Sequence, residues 1–354
     1  MAAEPHETRS SILDRQTRSD RLLSALEDAR RVLVITHVNP DPDALAGQLA
    51  VQHLLRHERP DLEVILTVDG MIARAENRLM VELLPIPLVP IRDVRLDRDT
   101  AVVMLDSQPG TGRHARENLV PTVVIDHHET GGNLDGVAFR DIRDNVGATC
   151  TIITGYLVER RLPVPARLAT ALFYGIDSEI SGYPREASPL DDGAQVWLFP
   201  KTDKDLLARI RNPKLPRSHF STFDLALSEA SIHGDAVVSW AGAVDQPDII
   251  AELSDFFIRF ESVDWVLVGG ICEQRLKLSM RSTPLGLHSG EILRDAVEGI
   301  GSAGGHDKRA GGSVRLVPPT LESARERFRF VRDRLFDAFE IQDRTGRPLT
   351  SRSS

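Results

Sequence analysis

The first 180 residues alternate short apolar runs with longer amphipathic stretches. From Asp20, the spacing of Leu22, Leu23, Leu26 and Ala29 predicts a helix feeding the β-branched run Arg31-Val32-Leu33-Val34-Ile35-Thr36. Runs apolar at nearly every position belong to strands buried on both faces. A helix over 43–57 and a strand over 62–68 follow. Two more apolar runs, 101–105 and 122–125, end in acids: Asp106 after the first, Asp126-His127-His128 after the second. Residues 147–161 and 164–176 read as consecutive helices, the second running into Asp177-Ser178-Glu179. Strands alternating with helices imply right-handed crossovers and a parallel sheet.

The pattern then changes. Pro184, Pro189, Pro200, Pro213 and Pro216 lie among charged residues and predict irregular helices giving way to a linker. Beyond it, strands are expected over 236–240, 264–270, 275–281 and 312–317, the middle two as a hairpin, with helices near 247–260, 289–298 and 320–340. The predicted fold class is α/β: an N-terminal, mostly parallel sheet flanked by helices, then a smaller C-terminal α/β domain of mixed sheet. The domains are placed at 20–200 and 223–341, with 201–222 linking them and 342–354 a loose tail.

Composition narrows the class. A chain of 354 residues that is 41% hydrophobic and 27% charged reads as globular, and its length suits two domains. A net charge of −9 argues against gripping long duplex nucleic acid by bulk electrostatics. Only two cysteines, Cys150 and Cys272, rule out a disulfide framework and point to a reducing compartment. No membrane-length apolar run and no signal-peptide pattern are present, so a cytoplasmic, soluble protein without membrane contact is expected.

The candidate chemistry gathers at predicted strand ends, where open α/β sheets bind ligands. His37, Asp41, Asp43, Asp106, His127, His128 and an acid at 177 or 179 are the candidates. Read alone, Asp41 or Asp43 is also a natural cap for the following helix. Mixed imidazole and carboxylate donors without thiolates suit Mn²⁺, with Mg²⁺ or Co²⁺ as alternatives. There are too many ligands for one ion, whereas two divalent cations bridged by a shared carboxylate would use them all and would suit phosphoester hydrolysis.

Asp126-His127-His128 after a strand, with His37 and Asp41-Pro42-Asp43 upstream, resembles the DHH family of phosphoesterases. The resemblance implies that His37 and Asp41 hold one ion, Asp43 and His127 the other, and Asp106 bridges them. His128 would then face the phosphate, making His128 and Asp106 the catalytic pair, with Asp126 orienting the histidines. In the fourth segment Glu179 aligns with the family's acid, and Asp177, two residues earlier, is the alternative ligand. Ser302-Ala303-Gly304-Gly305-His306 resembles the glycine-rich substrate loop of the domain associated with this family, implying phosphate contacts from Gly304, Gly305 and His306. Arg281-Ser282 resembles a strand end that faces nucleotide.

The implied activity is hydrolysis of short single-stranded RNA (nanoRNA), dinucleotides or small phosphorylated nucleotides such as 3′-phosphoadenosine 5′-phosphate. Exopolyphosphatase or pyrophosphatase chemistry is the runner-up, followed by a non-catalytic phosphate-binding regulator. A homodimer is compatible with this reading.

Overall fold

The computed structural model of the chain describes residues 16–111, 119–181, 187–283, 288–305 and 308–350. The chain divides into two units, Met1–Pro213 and Lys214–Ser354. In the first, the expected strands form as β1 (Arg31–Ile35), β2 (Glu63–Val68), β4 (Thr100–Leu105) and β5 (Val123–Asp126), joined by two short strands, β3 (Leu88–Pro90) and β6 (Phe139–Ile142). Among the described residues these make one parallel sheet in the order β3-β2-β1-β4-β5-β6. The chain winds outward from β1 through β2 to β3, then returns to the other side of β1 as β4. Strand order therefore reverses between β1 and β4, and their carboxyl ends open the crevice where such sheets bind ligands.

Helices cover the sheet: α1 (Arg18–Ala25), α2 (Pro42–Glu58), α3 (Ala75–Leu83), α4 (Thr149–Glu159), α5 (Ala166–Ile180), α6 (Pro189–Leu198) and α7 (Lys204–Arg211). Two-sided cover explains why Leu33, Val34, Val103 and Val124 are all fully buried. Helices α2, α4 and α5 meet around Gly175. A Cβ there would lie 2.9 Å from Cys150 Sγ, 3.1 Å from the Pro42 carbonyl oxygen and 3.2 Å from Ala46 Cβ. Only hydrogen fits, so Gly175→Ala is expected to cost about 1–3 kcal/mol by forcing the helices apart. A urea denaturation midpoint equal to that of the wild type would contradict this.

Elements outside the sequence reading have physical reasons. Strand β3 is three residues ending in proline, β6 interleaves Arg140 and Asp141 with its apolar positions, and α3 lies in a stretch with little apolar period. Two of the prolines expected among irregular helices and linker instead start helices. Pro189 is the first residue of α6 behind the Ser188 cap, and Pro216 caps α8 (Arg217–Glu229), so residues 204–211 and 217–222 are helical.

The second unit contains β7 (Ser231–His233), β8 (Ala236–Ala243), β9 (Trp265–Cys272), β10 (Arg275–Ser282), β11 (Gly301–Gly305), β12 (Arg309–Arg315) and β13 (Arg347–Pro348). Among the described residues they form one mixed sheet, β11-β12-β10-β9-β8-β7-β13, in which only β8 and β9 pair in parallel. One face packs with α8 and α9 (Asp248–Phe257), the other with α10 (Ser289–Ala296) and α11 (Leu321–Ala338). The α/β class expected for both parts is the observed one. Two local expectations change: Gly301–Gly305 is an edge strand rather than a loop, and the tail returns to the sheet as β13, where the Asp343 carbonyl meets His233 Nδ1 at 2.9 Å. No described helix is long and apolar enough to cross a membrane.

Candidate metal centre

Strand β1 ends two residues before His37. The turn that follows is held by Asn39, at φ 61°, whose amide donates to the Asp69 carbonyl at 2.9 Å and whose Oδ1 accepts from the Met71 amide at 2.7 Å. Asp41 caps α2, its Oδ1 accepting from the Ala44 amide at 3.0 Å. The cap open to the sequence is thus real, and it uses one oxygen only. The His37 Nδ1 lies 3.0 Å from the Val38 carbonyl, which can only accept, so Nδ1 carries the proton and Nε2 is left for the cluster. That Nε2 sits 3.6 Å from Asp41 Oδ2 and 3.3 Å from Asp106 Oδ2.

Asp106 follows β4 directly in the left-handed region, φ 54°, a conformation costly for a non-glycine residue. The turn divides its carboxylate between two sides. Oδ2 faces His37, while Oδ1 lies 3.4 Å from His127 Nε2, 3.7 Å from His128 Nδ1 and 3.1 Å from the Thr149 hydroxyl that donates to it. Among the described residues, two donor groups result, His37-Asp41-Asp106 and Asp106-His127-His128, with all ligand atoms of each within 4.8 Å of one another. Asp106 belongs to both. A cavity of about 320 Å³ lined by His37, Val38, Asp41 and His128 opens beside them.

The second group differs from the expectation in having His128 where the resemblance places Asp43. Asp43 is fully buried at the start of α2, and the first turn of α4 takes its carboxylate: the Thr149 amide donates to Oδ2 at 2.7 Å and the Cys150 amide to Oδ1 at 2.8 Å. Asp126 lies against both histidines. Its Oδ1 accepts from the His127 amide at 2.9 Å and lies 2.8 Å from His128 Nδ1. Glu179 faces the cluster, close enough for Asp41, Asp43, His127 and Asp106 to act on its charge. Asp177, two positions earlier, lies on the other side of α5. It is bonded to Arg211, to the Ser181 hydroxyl at 2.9 Å and to Gln195 at 3.5 Å, so the alternative ligand is committed elsewhere.

Charge inside the cluster is tightly balanced. Burial opposes charging His37, yet Asp106 and Asp41 hold its imidazole well above the ordinary range. Against the same opposition, Asp106, Asp43 and Glu179 hold His127 at about 10. Burial also works against the Asp106 carboxylate, but hydrogen bonds from His127 and His37 keep it well below the usual range. Asp43 and Glu179 go the other way, raised by burial and then by neighbouring carboxylates. Four carboxylates crowded beside imidazoles form a donor set that fits divalent cations.

One contributor was illegible in the sequence. Gln108 is buried, and its Nε2 donates to Asp126 Oδ2 at 2.7 Å and to the Glu129 carbonyl at 3.0 Å, while its Oε1 accepts from the Gly131 and Gly132 amides at 3.0 and 3.2 Å. This clamp exists only because the 131–132 turn folds back so closely that a Cβ on Gly132 would meet the Pro109 oxygen at 2.4 Å. No local pattern signals such a return.

In the second unit, α9 brings Asp255 to Arg281, whose Nε donates to Oδ1 at 2.6 Å and whose Nη1 donates to Ser279 Oγ and the Met280 carbonyl. The arginine expected to face phosphate is thus paired with a carboxylate. Ser282 and Ser289 hydroxyls share a bond of 2.9 Å. Gly304 and Gly305 are exposed on β11, and His306 lies outside the described residues.

Residues 31–176 match the model of the DHH family, N-terminal domain. The uncharacterized protein MJ1633 of Methanocaldococcus jannaschii is 31% identical over 312 residues, covering 87% of this chain and 63% of that protein. The chain therefore spans less than two thirds of that relative's length. A crystal structure of an exopolyphosphatase-related protein from Bacteroides fragilis shares the fold with a TM-score of 0.72 at 15% identity, covering 91% of this chain and 97% of that one. The segment that matches the DHH family's N-terminal domain holds His37, Asp41, Asp43, Asp106 and the Asp126-His127-His128 triplet.

Proposed function

We propose that the chain is a phosphoesterase working with two divalent cations, Mn²⁺ foremost, on short oligoribonucleotides or small nucleotides. The observation that carries the reading is the pair of donor groups meeting at Asp106. His37 and Asp41 would hold one ion, His127 and Asp43 the other, Asp106 both, with Glu179 at their margin. Cations so placed supply Lewis acidity toward a phosphoryl oxygen and a nucleophile at neutral pH. The protein's own part is orientation. Asp126 fixes the His128 ring, which then faces the substrate phosphate from the cavity wall as donor or electrostatic support. In the second unit, Arg281 and Ser282 and the glycines of β11 are proposed to receive phosphate or nucleotide. A net charge of −9 favours a small substrate over a long strand, and two buried thiols accord with the reducing cytoplasm.

The test is a substrate panel on protein stripped with EDTA and reconstituted with Mn²⁺, Mg²⁺ or Co²⁺. Release of nucleoside monophosphates from di- to pentaribonucleotides, absent before reconstitution, is the expected result. Turnover of polyphosphate or pyrophosphate alone would replace this reading with the runner-up, and Mn²⁺ binding with no turnover of any member would make the chain a regulator.

A further inference from the structure

We propose that Asp191, on α6 and outside every motif of the metal centre, is a positioning residue that sets the centre's affinity for its cations. The inference rests on the two-cation reading. Helix α4 has Ala148 as its cap, a residue with no side-chain oxygen to offer, so the leading amides of its first turn take acceptors from other elements. Asp43 satisfies two of them, at Thr149 and Cys150. That arrangement works only if the turn is held at the correct distance from α2.

Asp191 holds it from the opposite side. Its carboxylate is fully buried and takes four neutral donors. Two come from its own helix start, the Ser188 amide and hydroxyl, both at 2.7 Å; the amide's bond, with the Asp191 amide donating back to the Ser188 hydroxyl at 3.4 Å, makes a capping box. The other two come from the α4 segment: the Gly147 amide at 2.8 Å and the Thr151 hydroxyl at 2.5 Å. Residues 147 and 151 bracket the residues that touch the centre, Thr149 through its amide to Asp43 and its hydroxyl to Asp106, and Cys150 through its amide. The capping box needs neither bond to the α4 segment; those two fix the α4 turn against α6. Loosening them lets the amides swing away from Asp43 and the Thr149 hydroxyl from Asp106, changing the reach of both carboxylates toward the cations.

The experiment is isothermal titration of Mn²⁺ into the full-length chain, with thermal unfolding recorded on the same samples. Wild type must first bind Mn²⁺; if it does not, the two-cation reading and this proposal both fall. Asp191→Asn, which turns a donor toward groups that are themselves donors, is expected to weaken Mn²⁺ binding at least tenfold. Thr151→Val removes one bond with little change of shape and is expected to weaken binding three- to fivefold, while Thr151→Ser, which keeps the hydroxyl, stays within twofold of wild type. Ser188→Ala leaves both Asp191 bonds to the α4 segment in place and should lower the melting temperature with affinity within twofold of wild type. Should Asp191→Asn not fold, the Thr151 pair decides. Equal affinities for Thr151→Val and wild type, or affinity losses in Ser188→Ala as large as those in Thr151→Val, would overturn the proposal and leave the two-cation reading standing.

Discussion

Asp106→Asn should reduce kcat by roughly a thousandfold or more at saturating Mn²⁺, because it strips the one carboxylate common to both donor groups. Asparagine is the informative replacement. It keeps nearly the same shape and tolerates the left-handed backbone at φ 54° better than most residues, so the chain should fold. What is lost is charge between His37 and His127, each within 3.4 Å of the carboxylate. The Mn²⁺ stoichiometry measured by titration should fall together with kcat. A variant retaining a tenth of wild-type turnover would show that the two groups do not act through a shared ligand.

The second large effect separates two acids that lie two residues apart. Glu179→Gln is expected to lower activity by about ten- to a hundredfold, the range seen when a group supporting a metal site loses its charge. Asp177→Ala should leave activity within about twofold. It breaks a partly exposed pair with Arg211, worth about 0.5 kcal/mol, and so registers as a small fall in the urea midpoint. Steady-state kinetics on both variants settle the order, and a larger kinetic loss for Asp177→Ala would reverse the assignment.

Much of the first unit was readable because its chemistry is tied to strand ends. Uninterrupted apolar runs over 31–36, 101–105 and 122–125 mark buried parallel strands, and topology then carries His37, Asp106 and Asp126 to one edge without any further information. Spacing favoured Glu179 over Asp177, but what each acid meets was not readable, since both end the same helix and the partner across from each face lies far away in sequence. Asp177 meets Arg211, thirty-four residues later, on a helix that the prolines had disguised as linker. Gln108 and the amides of Thr149 and Cys150 escaped for a related reason. Their partners lie about 20 and about 106 residues away, and hydrogen bonds closed over such loops leave no periodic trace in composition. The glycine-rich segment near 304 reads, by its resemblance, as a substrate loop, whereas here it pairs along β12 as an edge strand.

The left-handed backbone at Asp106 sets the protein's evolutionary economy. Glycine would occupy that conformation without strain and would also remove an acid from a dry interior. The residue that best suits the scaffold there is one that can do no chemistry. Selection for heat resistance alone, without selection for turnover, would therefore drift toward a sturdier chain with its centre erased.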